Sequence, residues 1–247
     1  MGASARYTGA LSPFAHAVIT GPDNLFALPE VEALLREELA RLPALAARQP
    51  GGRALLLQAG AANRALPVDL RHLGVTRVHV DRAAIAGDVV CASHALPWED
   101  EAFQFVVVQH AGDALAHPDA FVDELARVLA AGGSMVWFGF NPLSPWSLWL
   151  HWQARQGRPL PRALQSDSVR RRLLHGRLTP GAVEAIGSCW PDRDGQSRRS
   201  ALLAPLRGAW MLIASKQRAV LTPLHRRSLR RVTPQPSLAV PSRRVRA

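Results

Sequence analysis

The residue types best suited to chemistry follow directly after short apolar runs of the chain. Gln109 and His110 follow the apolar run at residues 105–108, and Asp81 follows a second run that ends at Val80. An imidazole titrates near neutral pH, so His110 could act as a general base towards a hydroxyl or an amine. A histidine at a strand end is more often a structural residue, and an aspartate there often caps a turn. These positions mark a candidate site in which each residue has two interpretations.

The elements that must hold these residues are most clearly marked between residues 96 and 145. Residues 105–108 have the continuous apolar pattern of a strand covered on both faces. A helix is predicted from Pro118 to the glycine pair at 132–133, and residues 134–140 form the next strand. A strand, a helix and a strand in this order indicate parallel pairing with a right-handed crossover.

An open parallel sheet binds its ligands beyond the carboxyl ends of its strands. The sequence therefore predicts a site at that edge, near residues 58–64, 81, 93–98, 109–113 and 140–146. The other expected elements are strands at 53–59, 75–80 and 88–91, a helical pattern from Pro29 that Pro43 splits, helices at 144–156 and 168–175, a turn of helix at 179–186, and an antiparallel pair at 201–203 and 209–215.

The composition is that of a globular core with additions. The chain has 247 residues, enough for one large domain or two small ones, and 48% of them are hydrophobic, with a mean hydropathy of −0.01. Two cysteines are too few for a disulfide framework, and no spacing suggests a metal site. The sequence shows neither a signal-peptide core nor an apolar run of about 18 residues. We therefore expect a cytoplasmic protein without a transmembrane segment or a metal.

The positive charge is concentrated near the end of the sequence. Nine lysines and arginines and no acidic residue fall between Lys216 and Ala247, whereas the preceding part has 21 basic and 19 acidic residues. With four prolines and little apolar periodicity, this tail is expected to be disordered. A second arginine-rich region at 155–177 is opposed only by Asp167. Both regions are either solvated surfaces or contacts for an anionic partner such as RNA or lipid.

Three segments carry a resemblance to a known family. The order LPWEDEAFQFVVV followed by RVLAAGG resembles the second half of a class I S-adenosylmethionine-dependent methyltransferase with a methyltransferase type 11 domain. GFNPLSPWSLW and GAWMLIASKQRAVLTP are similar to a subgroup of small bacterial members. The resemblance covers roughly residues 30 to 225.

The resemblance implies an α/β fold, with a Rossmann-like, mostly parallel sheet of seven strands and helices on both faces. The strand from residue 105 should then lie between those that begin near 54 and 134. We divide the chain into an N-terminal extension at 1–28, a methyltransferase-like domain at 29–216 and a basic tail at 217–247.

The family's cofactor loop has an acidic residue at the end of the first strand, followed by Gly-x-Gly-x-Gly. Here Gln58 stands in place of the acid, Gly60 matches the first glycine, and Ala62 and Arg64 replace the other two. Ala62 adds only a methyl group. Arg64 could block the pocket for the methionine part of the cofactor, or its guanidinium could pair with the cofactor's carboxylate.

The resemblance also assigns the remaining cofactor contacts. Asp81 matches the acid that binds the ribose hydroxyls, and Gln109 faces the methyl donor. Ser93, His94 and Leu96 lie where the family contacts adenine.

Three functions remain open on this basis. The first is methyl transfer from S-adenosylmethionine to a small molecule or RNA. The second is a binding or regulatory role in a fold that has lost catalysis, which the changes at Gln58, Ala62 and Arg64 favour. The third is an adaptor for nucleic acid or a membrane surface, which the uneven charge favours.

Overall fold

The computed structural model describes residues 24–70, 72–82, 84–115, 118–191 and 201–217. Within these residues eight strands form a single sheet. The strands are β1 (Gly52–Gln58), β2 (Leu73–Asp81), β3 (Ala84–Gly87), β4 (Cys91–Ala92), β5 (Phe103–Gln109), β6 (Leu129–Phe140), β7 (Leu178–Ile186) and β8 (Ala209–Lys216).

The strand order is β4-β3-β2-β1-β5-β6-β8-β7. Strands β2, β1, β5 and β6 pair in parallel, whereas β3, β4, β7 and β8 enter by antiparallel pairing. The prediction that the strand near residue 105 lies between those near 54 and 134 is confirmed, because β5 pairs with both β1 and β6. The described sheet has eight strands rather than the predicted seven.

The helices cover both faces of this sheet, as predicted. They are α1 (Pro29–Leu39), α2 (Leu42–Ala46), α3 (Ala111–Ala114), α4 (Pro118–Val128), α5 (Pro145–Arg155) and α6 (Ser166–His175). Short 3-10 helices span Leu25–Ala27, Ala61–Ala65 and Ala201–Leu206. One apolar core joins the sheet to α4 and α6, and the other joins it to α1, α2 and α5.

The helical pattern from Pro29 is split at Pro43, as expected. Helix α1 ends at Leu39, and α2 begins at Leu42 with Pro43 in its first turn. A proline is tolerated there because the first backbone N–H groups of a helix have no partner within the helix.

The edge of the sheet formed by β3 and β4 differs from the prediction of a strand at 88–91. Strand β3 turns back on β2 as a hairpin, in which Asp81 pairs with Ala84, and the short strand β4 pairs with β3. Asp88 lies between β3 and β4, and its side chain accepts a hydrogen bond from the backbone N–H of Arg77 at 2.7 Å. This contact fixes a turn at the place where the apolar pattern suggested a strand.

The predicted antiparallel strand at 209–215 is confirmed as β8, but the expectations for residues 179–186 and 201–203 were wrong. Residues 179–186 belong to strand β7 rather than to a helix, and residues 201–203 lie in a 3-10 helix. Strand β8 is already paired with β6 and β7, so it has no free edge for a further strand. Pro180 is tolerated because β7 is an edge strand with a register shift between Pro180 and Val183.

The domain division stays a prediction. Leu25 and Phe26, which we placed in the N-terminal extension, are buried in the core beside α1. Residues 1–23 and 218–247, including nearly all of the predicted disordered tail, lie outside the described residues.

Candidate functional site

The predicted site residues meet at the carboxyl edge of the parallel strands. Gln58 ends β1, Asp81 ends β2 and Gln109 ends β5. The register places Gln58 opposite His79 on β2, and an isolated bridge connects it with His110. This edge is where ligands bind in open parallel sheets.

The turn after β1 is closed by the chain segment that precedes α1. Gly60 has a φ of −160°, which any residue can adopt, so its small size matters more than its flexibility. A Cβ at this position would lie 3.1 Å from Nδ2 of Asn24. The turn continues into a 3-10 helix in which Ala62 is exposed and Asn63 is buried.

Two buried acceptor oxygens of this turn lack a donor. Gln58 donates through Nε2 to the backbone oxygen of Asn63 (2.9 Å) and to Oε1 of Gln109 (3.2 Å), and Asn63 donates through Nδ2 to the backbone oxygen of Phe26 (2.8 Å). Exchanging N and O in either amide would set oxygen against oxygen, so these contacts fix both orientations. Oε1 of Gln58 and Oδ1 of Asn63 then have no partner among the described residues. Each of these oxygens can accept a hydrogen bond from a donor group that reaches it.

Arg64 points away from the turn rather than into the site. Its Nη2 lies 2.6 Å from Oδ1 of Asp88, and the two side chains are 36% and 42% exposed. Arg77 fastens the backbone of this region by donating to the carbonyl oxygens of Arg64 (2.8 Å) and Leu66 (3.2 Å). In this arrangement Arg64 is paired with Asp88, and its role toward a cofactor stays a prediction.

Replacing Arg64 should therefore have a small effect. Arg64→Ala removes a half-exposed ion pair, and we expect the free energy of unfolding to fall by less than about 1 kcal/mol. Arg77→Ala removes the charged donor to two backbone oxygens and should cost more, about 1.5–3 kcal/mol. Urea unfolding of both variants measures the difference, and a larger loss for Arg64→Ala would contradict the outward position.

A buried network of charged and polar side chains fills the inner part of the edge. Gln109 donates through Nε2 to the backbone oxygen of Leu35 and to Oε2 of Glu38, both at 3.0 Å. The ring of His110 lies between two carboxylates, with Nε2 2.9 Å from Oε1 of Glu38 and Nδ1 2.8 Å from Oδ2 of Asp113. The side chains of Glu38, His110 and Asp113 are all buried. The network therefore ties helix α1 to the ends of β5 and α3.

Asp113 extends the network to the neighbouring strand. Its Oδ2 also accepts the backbone N–H of Phe140 (2.9 Å), and its Oδ1 accepts that of Leu164 (3.0 Å). His110 has a φ of +53°, a left-handed conformation that is uncommon for a side-chain-bearing residue, and it packs against Phe140 with ring centroids 4.1 Å apart. These contacts hold the backbone at the end of β5 in an unusual conformation.

The network keeps His110 protonated. Burial by itself would lower its pKa, but the charge of Glu38 and the hydrogen bonds to Asp113 and Glu38 outweigh burial and raise the pKa to about 10. Both ring nitrogens are then donors, and both are already used. In this arrangement His110 is not free to accept a proton from a substrate.

Aromatic side chains cover the network from outside. The ring of Phe26 lies 6.2 Å from His110 and 6.1 Å from Phe140, and Phe140 lies 6.2 Å from Trp146. The predicted site residues do not line two cavities found on the described part of the chain, one beside α1 and α2 and the other at the opposite edge of the sheet. In this conformation the inner part of the edge is filled by the chain itself.

Asp81 lies at the outer part of the edge. It is half-buried and begins the hairpin between β2 and β3. The neighbouring His79 has its pKa lowered by burial and by the charge of Arg64, while Asp81 acts in the opposite direction. Asp81 thus stands at the position expected for contact with hydroxyl groups, next to the filled inner part.

The segment expected to contact adenine is fastened to helix α4. Ser93 and His94 lie in a turn after β4, where His94 is exposed. The backbone N–H of Leu96 donates to Glu124 (2.9 Å), and its carbonyl accepts from Arg127 (3.0 Å). The Arg127 hydrogen bond holds the pKa of Glu124 below its usual range. The backbone of Leu96 is therefore occupied by protein partners.

The sequence interpretation missed Glu38, Phe26 and Asn63. Glu38 had a detectable signal, because it follows Leu34 by four residues and precedes Leu42 by four, which places it on the apolar side of the helical pattern. Phe26 and Asn63 lie in short 3-10 helices, for which the sequence offers no comparable signal.

The arginine-rich region at 155–177 does not form one patch. Helix α5 packs into the core beside α1, and α6 packs into the core on the other side of the sheet. Arg172 of α6 pairs with Asp119 and Asp123 of α4. Among the described residues, no cluster of three or more His, Cys, Asp or Glu could hold a metal ion, and none of the helices has the length and apolarity needed to cross a membrane.

Comparison with known proteins agrees with this architecture. Residues 51–137 match the family model described as a methyltransferase domain. No curated protein sequence matches the chain significantly. An S-adenosylmethionine-dependent methyltransferase from Thermotoga maritima has a similar structure, with a TM-score of 0.53 and 13% identity, over 78% of this chain and 93% of that chain.

Two further structures are similar at lower TM-scores. Geranyl diphosphate C-methyltransferase from Streptomyces coelicolor, solved with S-adenosyl-L-homocysteine, has a TM-score of 0.45 and 14% identity, over 81% of this chain and 87% of that chain. A methyltransferase solved in complex with the Haloferax volcanii activator Trm112 has a TM-score of 0.48 and 15% identity, over 76% and 94% of the two chains. The sheet order and the similarity to the Thermotoga maritima structure show that the chain has the fold of class I methyltransferases, and residues 51–137 match the model of a methyltransferase domain.

Proposed function

We propose that this protein transfers a methyl group from S-adenosylmethionine to an acceptor that is a small molecule or RNA. The observation that carries the proposal is the pair of donor-free buried oxygens, Oε1 of Gln58 and Oδ1 of Asn63, beside Gly60. This turn lies inside the matched methyltransferase domain. The ammonium group of the methionine part would supply the missing N–H donors.

The remaining cofactor contacts are proposed from their positions. Asp81, at the end of β2, would accept hydrogen bonds from the ribose hydroxyls. Ser93, His94 and Leu96 would line the adenine side, and Gln109 the inner side. The bound cofactor supplies an electrophilic methyl group, so the main contribution of the chain is to orient the groups and exclude water.

Binding at the inner edge requires the N-terminal segment to move. Phe26 covers His110 and Phe140, and Glu38 holds both Gln109 and His110. We propose that the described conformation is a closed form, and that displacement of these two side chains opens the inner site. Direct displacement at a methyl carbon needs no universal acid or base, so His110 is proposed to position the ends of β5 and β6.

Calorimetric titration with S-adenosylmethionine and its demethylated product tests the proposal. Asp81→Ala should weaken binding by about 1–3 kcal/mol, because it leaves hydroxyl groups of the ligand without an acceptor. Asp167→Ala, on the exposed first turn of α6, is the matched control and should bind as the wild type does. Equal affinity of the wild type and Asp81→Ala would remove Asp81 from the site.

A second candidate is a non-catalytic protein that keeps the fold, and the closed inner edge favours it. Phe26→Ala separates the two, because it removes the aromatic cover without touching the charged network. If the cofactor site is intact beneath the cover, this variant should bind at least as tightly as the wild type. Absence of binding heat for the wild type and for Phe26→Ala, with both ligands, would favour the non-catalytic function.

A further inference from the structure

Helix α5 buries one side and leaves an apolar stripe on the other side uncovered. Trp146 and Leu150 are buried in the core beside α1. On the outer side, the side chains of Leu148 and Trp152, one helical turn apart, are 70% and 53% exposed. Transfer of an exposed tryptophan and leucine from water to an apolar environment is favourable, so a binding partner that covers this stripe would gain free energy.

The segments before and after α5 are also apolar and basic on their exposed surface. Leu143, just before the helix, is 80% exposed, and Leu160, after it, is also exposed. Residues 141–166 contain no aspartate or glutamate, but they contain three arginines and a histidine. Arg155 is exposed in the last turn of α5, three residues beyond Trp152. The surface is therefore apolar, aromatic and basic at once.

We propose that α5 binds the surface of an anionic membrane, with Leu148 and Trp152 in the interface between headgroups and acyl chains and Arg155 at the lipid phosphates. A helix with tryptophan and leucine on its free side and arginine nearby has the composition of interfacial membrane helices. With 11 residues it is too short to span the bilayer. This inference does not depend on the proposed methyl transfer.

Charge favours a lipid surface over the other partners. The sequence from Lys216 to Ala247 adds nine basic and no acidic residues, and a single apolar anchor usually needs such a second, electrostatic contribution. Nucleic acid would be attracted by the same charge, but it presents no large apolar surface that could cover the exposed leucines. A second copy of the chain would bring arginine against arginine.

Vesicle co-sedimentation of the full chain tests the proposal. The wild type should bind phosphatidylcholine vesicles that contain phosphatidylglycerol, bind neutral vesicles much more weakly, and lose affinity as salt rises. The double variant Leu148→Ser, Trp152→Ser should bind the anionic vesicles at least about tenfold more weakly. Leu174→Ser is the matched control, because Leu174 is a 54% exposed leucine on α6, whose packing lies on the other side of the sheet, and it should bind as the wild type does.

Each other outcome overturns the proposal. Failure of the wild type to bind anionic vesicles would show that the protein does not bind a membrane surface. Equal binding by the wild type and the double variant assigns the interaction to the basic tail alone. Sedimentation equilibrium that shows a dimer for the wild type and a monomer for the double variant assigns the stripe to a second copy. Loss of vesicle binding to competing RNA, with no effect of the double variant, assigns the charge to nucleic acid.

Discussion

Glu38→Ala should lower the free energy of unfolding by about 3–5 kcal/mol, the cost of removing one partner from a buried ion pair. The change leaves the imidazolium of His110 next to a single carboxylate and deprives Gln109 of the acceptor Oε2. Both remaining groups are buried, so water cannot replace the lost carboxylate without opening the edge. Guanidinium unfolding followed by circular dichroism measures the loss.

The control for this prediction lies six residues earlier on the same helix. Glu32→Ala removes an exposed i,i+4 ion pair with Arg36 and should cost less than about 1 kcal/mol. Glu38→Gln keeps one acceptor and the shape of the side chain, so its loss should lie between the two. A wild-type unfolding curve for Glu38→Ala would mean that the network does not hold helix α1 in solution.

The central part of the fold could be predicted because its signals agree. Residues 105–108 are continuously apolar, and Pro118 starts a helix with apolar residues at helical spacing. The helix ends at Val128 rather than at the glycine pair 132–133, which lies inside β6. Strand, helix and strand in this order leave one arrangement, parallel pairing with a right-handed crossover. Local pattern and global topology give the same answer there.

The margins of the sheet were harder because pairing partners outweigh local pattern. Strand β7 contains Pro180 and Gly181, which favour a turn, and becomes a strand because β8 offers it an edge. Residues 201–203 are apolar enough for a strand, but both edges of β8 are taken. Neither fact can be read from the residues of the segment itself.

The position of the candidate residues at one edge of the sheet was predictable, but the closing of that edge by α1 and Phe26 was not. Gln58, Asp81, Gln109 and His110 fall at strand ends, and the rule for open sheets gathers them at one edge. That Glu38 reaches His110 depends on the tertiary position of α1, since 72 residues separate the two in sequence. A single sequence contains no signal for a contact of this kind.

The closed edge affects how tightly any ligand can bind there. If only a fraction of the molecules has Phe26 and Glu38 displaced, the observed dissociation constant is the intrinsic one divided by that fraction. The contacts that stabilise the fold at α1 therefore act against the proposed cofactor. Phe26→Ala tests this competition without a change in charge, whereas Glu38→Ala removes a carboxylate.

The stability of the protein should fall as pH rises from about 6.5 to about 10 because of His110. The pKa of His110 in the folded state is raised to about 10, whereas the unfolded imidazole titrates near 6.5. Between these values the folded state binds one more proton than the unfolded state, so the free energy of unfolding should drop by about 1.4 kcal/mol per pH unit. Below about pH 6.5 both states are protonated, and this contribution is fully present.

The other titratable groups with shifted pKa values do not mask the contribution of His110 in the lower half of this pH range. His79 has its pKa lowered, mainly by burial, so its contribution changes below about pH 6.5 and has the opposite sign. Burial raises the pKa of the Cys91 thiol, so the unfolded thiol ionises first and adds to the fall in stability near the upper end. The lower half of the window, up to about pH 8, therefore reports mainly on His110.

Denaturant unfolding at several pH values, with two variants, isolates the contribution of His110. His110→Gln should be less stable than the wild type at pH 6.5 and should lose the slope up to about pH 8, whereas His175→Gln, an exposed residue at the end of α6, should keep it. If His110→Gln does not fold, imidazole nitrogen chemical shifts of the wild type answer the same question. An imidazolium signal for His110 that persists at pH 8 supports the network, because burial alone would leave the imidazole neutral and the adjacent carboxylates of Glu38 and Asp113 are what raise its pKa. A neutral His110 at pH 8, or an unchanged slope in His110→Gln, would show that the Glu38–His110–Asp113 arrangement does not carry this charge.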